Sequence, residues 1–103
     1  MFKLQPNPTF TVQVPMTVPG SPEPAPLTVE FRHLSRRRIK TYFEGLQGKT
    51  DAEALGEIIV NLPDIDAEYN PASLEALLDN YPAASIELFE AYRRELLEAR
   101  RKN

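Results

Sequence analysis

The repeat of apolar residues along this chain changes once, near residue 33, and that change limits the folds open to it. From Thr9 to Val18 the sequence alternates, with Phe10, Val12, Val14, Met16 and Val18 on one face and Thr9, Thr11, Gln13, Pro15 and Thr17 on the other. Leu27, Val29 and Phe31 alternate with Thr28, Glu30 and Arg32 in the same way. A period of two puts one side of a strand into a core and the other into water. Between these runs, residues 19–26 hold four prolines and a glycine, which suits the loop of a hairpin. Residues 8–32 are therefore predicted to form a β-hairpin with a proline-rich loop over 19–26. Pro15 has no N–H for a ladder, so its strand should lie at a sheet edge or carry a bulge there.

From Ser35 onward the period is about 3.6, and residues 35–103 read as a helical part of about four helices. Ser35 can cap a first helix carrying Ile39, Tyr42, Phe43 and Leu46, ending near Gly45 to Gly48. Thr50 and Glu53 make a capping box for a second, whose Leu55, Ile58, Ile59 and Leu62 keep the helical spacing up to Pro63. Asn70-Pro71 starts a short third helix with Leu74, Leu77 and Leu78. Pro82 is expected to open a last helix reaching the C-terminus, with Ile86, Phe89, Tyr92, Arg93 and Leu96 along one side. The expected fold is α+β, a single domain over residues 1–103 with an N-terminal β-hairpin packed on the helices. At 103 residues, 42% of them hydrophobic, a modest core needs no staples.

Composition narrows the function. Cysteine is absent, which removes disulfides, thiolate metal sites and a cysteine nucleophile, and fits a reducing compartment. The N-terminal MFKLQPNPTF has no long apolar run, and no stretch approaches the ~20 apolar residues of a membrane span. A cytoplasmic protein without membrane insertion is the expectation. The lone histidine, His33, has no second histidine with which to build a triad or a zinc site. Asp64, Asp66, Glu68 and Glu75 fall at positions of a calcium loop, but Tyr69 stands where its sharp turn needs glycine. Gly45 and Gly48 before Lys49-Thr50 are too close together for a Walker A loop. The chain reads as non-enzymatic, with no cofactor and no metal.

Charge is distributed in blocks that point to macromolecular contacts. Residues 32–40 hold Arg32, Arg36, Arg37, Arg38 and Lys40 without an acid, whereas residues 51–90 hold ten acids and no Lys or Arg. Residues 93–102 turn basic again through Arg93, Arg94, Arg100, Arg101 and Lys102. Such alternation favours pairing within the fold or head to tail between copies, as a weak homo-oligomer. The Arg36–Lys40 patch admits an alternative, a small nucleic-acid-binding regulator, although the acids that follow would repel a duplex unless they point away.

The hairpin with its Phe-x-Val-x-Val strand, the proline-rich turn and the run Val29-Glu30-Phe31-Arg32-His33-Leu34-Ser35-Arg36-Arg37-Arg38 into a helix resemble the short tail assembly chaperones of long-tailed bacteriophages and prophages. Leu74-x-x-Leu77-Leu78-x-x-Tyr81-Pro82-x-Ala84 and Ala91-Tyr92-Arg93-Arg94-Glu95-Leu96 are similar to the helical end of that family, so the likeness spans nearly the whole chain. The resemblance implies a protein that binds the tape measure protein, keeps it soluble and helps recruit tail tube protein subunits in the host cytoplasm. It also implies absence from the mature virion; a minor structural tail component is the alternative within the same setting. On this reading the protein-binding residues are Arg36, Arg37, Tyr42, Phe43, Tyr81, Phe89 and Tyr92, the aromatics because they exceed what short helices need for their own core.

Overall fold

The computed structural model describes residues 1–98. Its elements are β1 (Thr9–Met16), β2 (Ala25–Arg32), α1 (Arg36–Glu44), α2 (Asp51–Ile58), β3 (Ile59–Asn61), α3 (Pro71–Asn80) and α4 (Ala84–Leu97). The strands form one antiparallel sheet in the order β1-β2-β3. This is the expected α+β arrangement of a hairpin with four helices, to which the structure adds a third strand.

Proline placement explains how the hairpin closes. The Pro8 carbonyl accepts from the His33 N–H at 2.9 Å, so the hydrogen-bonded pairs of the hairpin are Phe10 with Phe31, Val12 with Val29 and Val14 with Leu27. Pro15 and Pro26 then oppose each other at a non-bonded pair, where neither missing N–H costs a ladder bond. β1 is an edge strand, as Pro15 requires. Ala25 and Pro26, expected in the loop, belong to β2 for this reason, and the loop is correspondingly shorter. At its tip the Ser21 N–H bonds to the Val18 carbonyl at 2.9 Å, with Pro19 second and Gly20 third at φ +83°, the geometry of a type II turn.

Two helical expectations are corrected. The second helix stops at Ile58, and Ile59–Asn61 become β3, pairing with β2 at Phe31 and Glu30 across a bulge. Leu55, Ile58, Ile59 and Leu62 are all buried, so the apolar positions stand although the element changes. A short β-branched run such as Ile58-Ile59-Val60 suits a strand at least as well as a helix, and β2 offers it an open edge. The last helix begins at Ala84, after a turn in which the Ala84 N–H bonds to the Tyr81 carbonyl, and ends at Leu97. Its continuation toward residue 103 lies outside the described residues. It buries Ala84, Leu88, Ala91 and Tyr92, whereas Ile86, expected on the inner stripe, is 71% exposed. Two of the four buried residues are alanines, which a count of large apolar residues overlooks.

The core runs without a break from the hairpin to the helices. Val12, Val14, Met16, Val29 and Phe31 of the sheet meet Leu55, Ile58, Leu74, Leu88 and Tyr92. Tyr92 sits at its centre, its ring 5.1 Å from Phe31, 6.1 Å from Phe10 and 6.5 Å from Tyr42. Its hydroxyl donates to the Arg32 carbonyl at 2.8 Å, and that of Tyr42 donates to the Ala54 carbonyl at 2.7 Å. Among the described residues no buried side-chain nitrogen or oxygen lacks a partner.

Candidate docking surface

The helix starts are fixed by the caps read in the sequence. Ser35 Oγ accepts from the Arg38 N–H, Thr50 and Glu53 close a reciprocal box, and Asn70 and Ser73 close another. Phe43 and Leu46, just before and after the end of α1, share an opening with Phe89 of α4. The result is a crevice of about 270 Å³ with Phe43, Leu46, Ala54 and Phe89 as apolar walls and Lys49, Asp51, Glu90 and Arg93 around it. Phe43 is 41% exposed and Phe89 half-buried. The rim is orderly. Lys49 pairs with Glu57, while Arg93 reaches Glu98 at 2.8 Å and Glu90 at 3.4 Å, contacts that push its pKa further up.

The seven residues expected to bind protein do not share one surface. Phe43 and Phe89 share the crevice. Arg36 stands on the α1 face that carries Lys40 and Phe43, at i, i+4 and i+7, and is exposed. Arg37 faces away from it, into a second cleft of about 540 Å³ lined by Arg32, Leu34, Arg38, Thr41, Tyr42 and Glu57. Tyr81 is half-buried at the end of α3 and lines neither opening. Tyr42 and Tyr92 are core, at 7% and 0% exposure. Burial raises the phenol pKa of Tyr92 to about 12 against an opposing effect of Arg32, and raises that of Tyr42 further, with Glu57 and Tyr92 adding to it. Leu46, read in the sequence only as part of the first helix's apolar stripe, is a wall of the crevice; its position beside Gly45 at the helix end was the available signal.

The candidate reactive groups have structural occupations. His33 follows β2, half-buried, with its backbone N–H bonded to Pro8. Asp64 of the incomplete calcium loop accepts from Thr28 Oγ1 at 2.8 Å and from the Thr28 N–H at 3.4 Å, tying the loop after β3 to β2. Glu53 is held below the usual carboxylate range, chiefly because it accepts from the Thr50 N–H. Among the described residues no three His, Asp or Glu side chains converge to hold a metal ion, and no helix is long and apolar enough to cross a membrane. What the surface offers is an apolar crevice with a charged rim, a geometry suited to taking side chains from another protein.

A family model described as phage tail assembly chaperone matches residues 1–103. No curated protein and no solved structure matches the chain.

Proposed function

The chain belongs to the phage tail assembly chaperone family, and on that premise we propose that it binds the tape measure protein, keeps it soluble, and helps recruit tail tube subunits. The observation that supports this reading is the crevice between Phe43, Leu46 and Phe89, which leaves Phe43 41% exposed and Phe89 half-buried beside charged residues of both signs. A long helical client exposes apolar stripes before assembly, and a groove of this kind takes one such side chain while its rim holds the polar flanks. Arg36 and Lys40 extend the same face of α1 and favour a client segment with acidic residues beside its apolar stripe. Tyr42 and Tyr92 contribute from below, Tyr92 by holding α4 to the end of β2 and Tyr42 by holding α1 to α2.

The protein acts in the host cytoplasm and leaves before the virion is complete. Deleting its gene tests this: heads should form without tails, and the tape measure protein should vanish from the soluble fraction. Mass spectrometry of purified particles should detect no peptide of this chain. Peptides present at a fixed stoichiometry would make it a minor structural component instead.

A further inference from the structure

Two helix ends in this molecule carry charge of the sign that opposes their own dipoles. The first turn of α1 holds Arg36, Arg37 and Arg38 and no acid, although a helix N-terminus is the positive end. The last turn of α3 holds Asp79 and no base, although a helix C-terminus is the negative end. Among the described residues no salt bridge relieves either conflict. The ion pairs among those residues join Lys49 to Glu57 and Arg93 to Glu90 and Glu98, and none is made by Arg36, Arg37, Arg38, Glu75 or Asp79. Local choices that disfavour the isolated molecule are kept where something else is selected.

The two ends also complement each other in composition. Arg37 and Arg38 flank the second cleft, whose floor is Leu34 and Tyr42 and whose far side carries Arg32, its Nε anchored on the Glu57 carbonyl at 3.1 Å. Glu57, the one acid there, is already paired with Lys49. On α3 the exposed residues Ala72, Glu75, Ala76 and Asp79 lie at i, i+3, i+4 and i+7, so two carboxylates alternate with two methyl groups on one face. The alanines allow close approach to an apolar floor, and the carboxylates then meet the guanidinium rim, where paired geometry is available to arginine.

We propose that the α1 cleft of one copy receives the acidic face of α3 from a second copy, Arg37 and Arg38 against Glu75 and Asp79. The two surfaces differ, so the contact is heterologous and adds copies head to tail. This proposal is independent of the tape measure reading and uses a different part of the surface.

Sedimentation velocity on the full chain tests it through charge reversal and mixing. The wild-type protein should form reversible oligomers at about 20 mM salt and fall toward monomer at about 300 mM, as the Debye length shortens. Arg37→Glu/Arg38→Glu and Glu75→Arg/Asp79→Arg should each be monomeric alone, with unchanged circular dichroism. An equimolar mixture of the two should associate again, because each supplies the surface the other lost. Monomeric wild-type protein at low salt would overturn the proposal, as would oligomers that survive either double substitution. Variants that stay monomeric on mixing would overturn it too, and so would oligomers that disappear after nuclease treatment, since the arginines would then be gathering nucleic acid.

Discussion

The Tyr92 hydroxyl donates to the Arg32 carbonyl oxygen at 2.8 Å, so a residue of the last helix closes the end of the hairpin 60 positions earlier. The same ring touches Phe10, Phe31 and Tyr42, so its hydrogen bond and its packing act together. Tyr92→Phe keeps the packing and should cost about 1 kcal/mol in chemical denaturation, the usual worth of one such bond. Tyr92→Ala should cost about 3–5 kcal/mol, since it opens a cavity where the sheet and helices meet. Equal losses in the two variants would show that the ring contributes nothing beyond its hydroxyl.

Stability should fall on the alkaline side. Burial raises the folded-state pKa of Tyr92 to about 12 and that of Tyr42 further, from an ordinary value of 10.0. The folded chain therefore holds these protons more tightly than the unfolded chain. That stabilisation is complete below pH 10 and is lost as pH rises through the folded-state values. Urea midpoints measured from about pH 9 to pH 12 should decline, and Tyr42→Phe or Tyr92→Phe should each flatten the decline. Glu53 has the opposite sign. Its lowered pKa gives a stabilisation present above the ordinary carboxylate range and lost as pH falls, which Glu53→Gln should remove from the acid limb.

Glu87 at the start of α4 holds the outgoing end of β1. Its carboxylate accepts from Thr17 Oγ1 at 2.6 Å and from the Thr17 N–H at 3.0 and 3.2 Å, across an edge that has no neighbouring strand. Hydrogen bonds to a charged acceptor are worth about 1.5–3 kcal/mol, so Glu87→Ala should destabilise by roughly that amount. Amide exchange at Thr17 should quicken in this variant more than at Val12 or Val14, whose amides stay in the ladder. Uniform acceleration along the chain would place the effect elsewhere.

Local signals in the sequence were strong enough to read most of this fold. Alternation in Thr9–Met16, the cap at Ser35, the box at Thr50 and Glu53 and the Asn70-Pro71 start each act within a few residues, and each reappears in the structure. What failed depends on partners distant in the chain. Ile59–Asn61 is a strand because β2 has a free edge, a fact of the tertiary fold. Ile86 points outward because the buried stripe of α4 runs through Ala84, Leu88, Ala91 and Tyr92. The candidate surface was half legible for the same reason. Phe43, Phe89, Tyr42 and Tyr92 all lie on apolar stripes, and only packing decides that the first two border a crevice while the last two are enclosed.

Co-expression shows whether the Phe43–Phe89 crevice takes an apolar segment of the tape measure protein, as proposed. A tape measure fragment that is insoluble alone should become soluble and co-purify with the wild-type chain. The complex should persist at about 300 mM salt, because apolar burial is insensitive to screening. Phe43→Asp/Phe89→Asp should lose the fragment while keeping the wild-type circular dichroism spectrum and most of its melting temperature. A folded double variant that still solubilises the fragment would contradict the assignment of this surface, and a wild-type chain that captures no tape measure fragment would contradict the proposed function.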